Sequence, residues 1–171
     1  MEKLPQLFMR RENLNNLPPL ALPYGYSLMS HTPEKENGWK KLVTRAFGRE
    51  FSFQEAIVEA GGYKPEHVLY LEKNGSLIAT ATAAEIYLFP GEGWLRMIGV
   101  DPDSRGVGAG RLICVAALQS LAARGYKTAA LATDDFRTPA IKLYLSLGFN
   151  PIYTHESHEE RWKKVLETIM P

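Results

Sequence analysis

Apolar residues along this chain recur at two spacings, and the changes of spacing mark its elements. Trp39, Leu42, Val43, Ala46 and Phe47 fall three or four apart, on one face of a helix. Thr32-Pro33-Glu34 opens that helix and Gly48 closes it. A second short helix is predicted over 53–60, ended by Gly61-Gly62. Residues 67–72 and 77–88 read as strands joined by the tight Asn74-Gly75 turn. After the turn Phe89-Pro90-Gly91-Glu92-Gly93, residues 94–100 read as a further strand, antiparallel to its neighbour. A helical pattern covers 111–124 and a strand 128–133. A helical crossover of this kind makes 94–100 and 128–133 parallel neighbours.

The remaining segments are read in the same way. Thr138 is placed as an N-cap, Pro139 at the first helical position and Gly148 at the left-handed position after the helix. Ala140, Leu143, Tyr144 and Leu147 share the packed face of that helix. Residues 150–154 add a late strand. Ser157-His158-Glu159-Glu160 reads as a capping box before a helix striped with Trp162, Val165, Leu166 and Ile169. At the other end, 24–29 begins a strand, and 1–23, with Pro5, Pro18, Pro19 and Pro23, reads as an extended arm laid over the surface or partly disordered. Residues 24–171 then form one α/β (α+β) domain in the order β-α-α-β-β-β-α-β-α-β-α, a mixed sheet with helices on both faces.

Composition narrows the function classes. The chain has 171 residues, enough for one real core, with 45% hydrophobic and 23% charged residues. Net charge is +1 with no basic block, which argues against nucleic acid as a partner. No apolar run approaches a signal sequence or a membrane span, so no membrane association and a cytoplasmic location are expected. The single cysteine, Cys114, fits a reducing compartment and reads as a small buried hydrophobe rather than a nucleophile. The four histidines show no metal-ligand spacing, and no metal is expected; His155 and His158 are expected in solvent.

The candidate chemistry lies where the strand 94–100 gives way to the helix. There the chain reads Val100-Asp101-Pro102-Asp103-Ser104-Arg105-Gly106-Val107-Gly108-Ala109-Gly110-Arg111. A glycine-rich turn at a helix N-terminus offers several main-chain N–H groups and the positive end of a helix dipole, which suits a phosphate. No Gly-Lys-Ser/Thr follows, so this is not a Walker loop. Arg111 stands where a dinucleotide fingerprint needs glycine, and no acid follows about 20 residues later. The pattern instead resembles the coenzyme A pyrophosphate loop of the GCN5-related N-acetyltransferase (GNAT) superfamily. Ala140-Ile141-Lys142-Leu143-Tyr144 through Gly148-Phe149 is similar to the second signature of that superfamily.

The resemblance covers about half the chain and carries several expectations. It implies a splayed pair of parallel strands with acetyl-coenzyme A between them. The amides of Gly106, Val107, Gly108, Ala109 and Gly110, with Arg105 and Arg111, would hold the diphosphate. The edge at Ile98-Gly99-Val100 would pair with the pantetheine arm, and the Ile98 N–H would stabilise an oxyanion. Gly99 is a candidate for a bulge. Spacing alone reads Tyr144 as a packed aromatic; the resemblance puts it beside the cofactor sulfur as general acid or positioning group. Many relatives carry Asn where this chain has Arg137, which leaves that contact open.

The reaction implied is acetyl transfer from acetyl-coenzyme A to a primary amine, directly in a ternary complex. The acceptor is expected to be a small-molecule amine, and the chain a monomer or homodimer. The base is sought among Glu85, Glu92 and His155, with Glu85 first. Trp39, Phe47, Phe51 and Phe53 read as core or as a wall of the acceptor site. Alternatives are a non-catalytic coenzyme A-binding module, a peptide N-acetyltransferase, and an unrelated nucleotide-binding α/β protein.

Overall fold

In a computed structural model of the chain, residues 4–86 and 88–170 are described. Met1, Glu2 and Lys3 of the expected arm, Tyr87 of the expected strand 77–88, and Pro171 lie outside the described residues.

Seven strands form one mixed sheet: β1 (Leu7–Arg11), β2 (Tyr26–Ser30), β3 (Val68–Lys73), β4 (Ser76–Ala84), β5 (Gly93–Val100), β6 (Ala129–Thr133) and β7 (Asn150–Ile152). Their spatial order is β2-β3-β4-β5-β6-β1-β7. Four α-helices cover the sheet: α1 (Glu36–Phe47), α2 (Ala109–Ala123), α3 (Thr138–Ser146) and α4 (His158–Ile169). Alternation along the strands divides the core in two, as a two-faced sheet requires. Leu69, Leu71, Ala79, Ala81 and Ala83 pack in one cluster with α2, α3 and α4. Val68, Tyr70 and Ala84 pack in the other with Trp39 and Val43 of α1.

Most local signals hold. Gly48 caps α1 at φ +73°, its N–H bonded to the Thr44 carbonyl. Asn74 and Gly75 both take positive φ, as their two-residue turn requires. The short helix expected over 53–60 is a single π-helical turn at Gln54–Val58. In α3 the cap falls on Arg137 rather than Thr138, and Gly148 takes φ +82° just beyond the end.

Four expectations need correction. Leu7–Arg11 is no surface arm. It pairs with β6 and β7, with Leu7 and Met9, on one face of the strand, fully buried where they complete the sheet between those two strands. The capping box does not form: Ser157 Oγ is engaged by His155 Nδ1 at 2.9 Å and by Arg161 at 3.3 Å, so it is not available to the first turn of α4. His158 is buried, its Nδ1 accepting from the Thr154 N–H at 3.3 Å and its ring against Phe8. The bulge in β5 lies at Met97-Ile98 rather than at Gly99 itself. Thr82 pairs with Arg96 and Thr80 with Gly99, so two residues of β5 stand opposite one of β4.

The feature that positions the site is the parting of β5 and β6. They are parallel neighbours only at Gly93, Trp94 and Leu95, opposite Ala129, Ala130 and Leu131. From Arg96 to Val100 the side of β5 that faces β6 has no partner strand among the described residues.

Candidate active site

The bulge sets the geometry of this open edge. Met97 takes φ +51°, a conformation that costs a residue with a side chain about 1–3 kcal/mol. The strain accompanies a re-aiming of the main chain at Ile98, just where β5 has left β6. Gly99 serves a different need. A Cβ there would stand 3.2 Å from the Ala46 Cβ, so its absence lets the end of α1 approach the strand.

Beyond Val100 the Asp101 side chain accepts from the Asp103 N–H at 2.9 Å and shapes the turn into the glycine loop. Gly106 and Gly108 take φ +80° and +82°, and a Cβ at either would meet nothing within 4 Å. Both therefore sit on a left-handed backbone that faces open space. Gly110 differs: a Cβ would lie 3.3 Å from Leu143, so this glycine seats α2 against α3. The first main-chain bond of α2 runs from Leu112 N–H to Gly108 O at 3.0 Å. Among the described residues, no N–H from 105 to 111 makes a main-chain hydrogen bond of normal geometry, and the turn at 105–108 is only weakly bonded. These donors stand at the positive end of a 15-residue helix.

A cleft of about 550 Å³ runs from this loop to Tyr144. Ile98, Gly99 and Val100 line it, with Arg105, Gly106, Gly108, Ala109, Gly110 and Arg111; Val107 does not, and its side chain is half exposed. Each arginine makes one long bond, Arg105 to the Ala46 carbonyl at 3.4 Å and Arg111 to Ser146 Oγ at 3.3 Å. Phe136, 75% exposed, also lines the cleft and had no signal in the sequence beyond its place before Arg137.

A second groove of about 540 Å³ reaches the same point from the side of α1. Phe47, Ile98, Arg137, Ala140 and Tyr144 belong to both hollows, so the two meet there. The aromatics expected near this wall divide: Phe47 and Phe51 line the groove, whereas Trp39 and Phe53 are buried against each other. A larger depression of about 870 Å³ along α1, lined by Lys40, Lys41 and Arg45, shares with the expected site only Phe51.

Tyr144 is 6% exposed and makes no hydrogen bond with another described residue through its hydroxyl. Burial pushes its pKa well above the ordinary tyrosine value, with a further push from Cys114 and an opposing pull from Arg137. The hydroxyl is thus a held proton donor throughout the neutral range. Cys114 itself is buried and its thiol pushed up to about 12, in keeping with a packing role.

The expected bases are not brought to this junction. Glu85 lies just past the end of β4. Its carboxylate accepts from Tyr126 Oη at 3.0 Å and from the Gly91 N–H at 3.3 Å, and it lines neither hollow. The alternation of β4 explains this: Ala84 packs toward α1, so the next side chain leaves toward the far face. Glu92 is held by Arg10 through bonds of 2.8 and 2.7 Å. His155 is exposed beside Ser157. Asp134 is instead the one carboxylate among the described residues lining the groove. It accepts from Arg137 Nε at 2.9 Å and from Gln6 Nε2 at 3.1 Å. The sequence held a trace of this, since Asp134 stands three before Arg137, but not of its placement.

A glycine turn at a helix N-terminus and a separate groove thus converge on Tyr144 beside a parting pair of parallel strands in an α/β fold. The chain matches the Acetyltransferase (GNAT) family over residues 33–149 and belongs to it. It is 32% identical over 153 residues to a mycothiol acetyltransferase of Thermobispora bispora, a match that covers 82% of this chain and 52% of that protein. The chain spans about half the length of the curated relatives it matches. Among solved structures, a GCN5-related N-acetyltransferase from Sphaerobacter thermophilus superposes with a TM-score of 0.68 at 23% identity, over 87% of this chain and 50% of that one. The ribosomal-protein-S18-alanine N-acetyltransferase from Escherichia coli superposes with a TM-score of 0.64 at 27% identity, over 75% and 79%. Among the described residues, no helix is long and apolar enough to cross a membrane.

Proposed function

We propose that the protein transfers the acetyl group of acetyl-coenzyme A to the primary amine of a small molecule, directly and without an acyl-enzyme. One observation carries the reading: main-chain amides at the start of α2 and the largely buried Tyr144 share a single cleft, and a second groove opens onto its end.

The residues fit the cosubstrate. Main-chain N–H groups over 105–111 and the α2 dipole suit a diphosphate, and the open space at Gly106 and Gly108 lets it approach. Arg105 and Arg111, with only long bonds of their own, add charge. Phe136 offers an exposed aromatic face in the same cleft. The unpaired edge at Ile98-Gly99-Val100 suits an extended amide-bearing arm. The Ile98 N–H at the bulge is assigned to the developing oxyanion, a contact often worth about 3 kcal/mol.

In the transfer the amine nitrogen bonds to the thioester carbonyl carbon and the C–S bond breaks. The amine must first lose its proton, and Asp134 is assigned to attract the ammonium and pass that proton to water. Tyr144 donates a hydrogen bond to the departing sulfur. Its raised pKa makes complete transfer of its own proton uphill, so solvent supplies the proton that completes the thiol and takes up the second nitrogen proton as the amide forms.

The small-molecule acceptor is supported by relatives named for mycothiol. A second reading, acetylation of a protein N-terminus, is supported by the likeness to the S18-alanine enzyme, the more fully covered of the two superposed structures. The test is calorimetric titration with coenzyme A followed by thiol release from acetyl-coenzyme A across a panel of small amines and short peptides. Absence of coenzyme A binding well above micromolar concentration defeats the reading; turnover of peptides alone selects the second.

A further inference from the structure

The ten arginines of this chain are not used alike. Arg10, Arg45, Arg137 and Arg161 are ion-paired with carboxylates. Arg11 and Arg124 donate to main-chain carbonyls. Arg105 and Arg111 stand in the cleft assigned to the diphosphate. That leaves Arg49 and Arg96, both exposed, neither with a carboxylate partner among the described residues, and both lining the acceptor groove.

Each of the two is held by a ring. The Arg49 guanidinium carbon lies 4.4 Å from the centre of Phe51, and that of Arg96 lies 5.6 Å from the centre of Tyr63. A cation–π contact of this kind restrains the side chain yet leaves N–H groups to face a ligand. Tyr63 adds a second kind of observation. It is 6% exposed, it lines the same groove, and its buried hydroxyl lies beside the Arg96 guanidinium without a hydrogen bond of normal geometry to any described residue. A buried hydroxyl without a partner is costly unless a ligand completes it. The groove lining carries three arginines and one aspartate, an excess of two positive charges, in a chain whose net charge is only +1.

We infer that the groove selects amines that also carry a carboxylate, and that Arg49, Arg96 and the Tyr63 hydroxyl bind that carboxylate. The inference rests on the acetyl-transfer reading for the amine, and on the groove alone for the anion. A carboxylate matches the planar fork of arginine and accepts from a phenol, whereas a neutral amide can complete only part of this set. Asp134, already engaged by Arg137, is left to the ammonium end of the same molecule.

The test compares α-, β- and γ-amino acids with the corresponding amino-acid amides, which keep the amine and lose the charge. Two measurements are made on the intact chain. One is kcat/KM by thiol release from acetyl-coenzyme A. The other is calorimetric binding of the N-acetyl amino acids and their amides in the presence of coenzyme A, which needs no turnover. The protein is expected to favour at least one acid over its amide about tenfold or more in both. Arg49→Gln and Arg96→Gln are expected to bring that ratio to within about threefold of unity, and Arg96→Lys to recover part of it. Amides equal to or better than acids throughout overturn the inference, as does a ratio that both glutamine variants leave intact. Preferential binding of acids without turnover upholds the anion site and counts against acetyl transfer; turnover of amides with no acid preference does the reverse.

Discussion

The Asp134 carboxylate accepts a hydrogen bond of 2.9 Å from Arg137 Nε, and this pair stands where the acceptor groove meets the cofactor cleft. Glu85, by contrast, is bonded to Tyr126 at 3.0 Å and lines neither hollow. Asp134→Asn is expected to lower kcat/KM for the amine about 100-fold, the usual scale for a positioned acid–base group. Glu85→Gln should leave the rising limb of rate against pH in place. Steady-state profiles of the two variants decide the matter. A limb that flattens in Glu85→Gln and persists in Asp134→Asn would reverse the assignment.

Tyr144 carries its own pH prediction. Because burial holds its pKa above the ordinary value of 10.0, the protonated form persists on the alkaline side. No falling limb from this group is expected up to about pH 10. Tyr144→Phe should lower kcat about 10- to 100-fold, the worth of one hydrogen bond to a charged atom, with KM for acetyl-coenzyme A nearly unchanged. A falling limb below pH 10 that disappears in Tyr144→Phe would contradict the raised pKa.

Gly108→Ala tests the loop. At φ +82° the alanine costs about 1–2 kcal/mol of strain, or roughly 2–8 °C in Tm for a chain of this size. Its Cβ also enters the space assigned to the diphosphate. Gly125→Ala is the control, with φ +91° and nothing within 4 Å, but at the far end of α2. Both should lose similar stability by thermal denaturation. Only Gly108→Ala should weaken coenzyme A binding, by about tenfold or more. Equal affinity in the two variants would remove the loop from the site.

Two buried histidines tie stability to pH. Burial lowers the pKa of His158, and burial likewise lowers that of His31, whose Nδ1 lies 2.6 Å from Tyr70 Oη. A histidine with a depressed folded pKa binds fewer protons folded than unfolded, so its contribution is complete above the unfolded value of 6.5 and is lost as pH falls below it. Tm should therefore drop between pH 7 and pH 5, and His158→Gln should make the drop shallower. A Tm that rises on acidification over that interval would show that neither histidine is held neutral.

Legibility in the sequence followed the range of the interaction. The glycine loop and the helix around Tyr144 are set by neighbours within a dozen residues, and they stand where the spacing put them. The place of Leu7–Arg11 depends on Thr133 and Ile152, more than a hundred residues away, and nothing in Leu7-Phe8-Met9-Arg10-Arg11 itself marked it as a strand. The same distance hid the groove. Arg49, Tyr63 and Arg96 sit on three separate segments, and none has a motif of its own. The face that Glu85 takes was not legible because an even-or-odd choice along β4 decides it, and Ala84 takes the side toward α1. Ser157 satisfied the pattern of a cap, but His155 and Arg161 compete for its hydroxyl.

The seat of β1 between β6 and β7 has a bearing on biosynthesis. Leu7 emerges from the ribosome long before Thr133, its partner across the ladder. At about 5–20 residues per second, that interval is roughly 6–25 s. Throughout it Leu7 and Met9, destined for full burial, have no sheet to join. The Leu7–Arg11 segment of the nascent chain therefore waits unpaired, and the half of the sheet that carries β6 closes only once translation has passed Ile152.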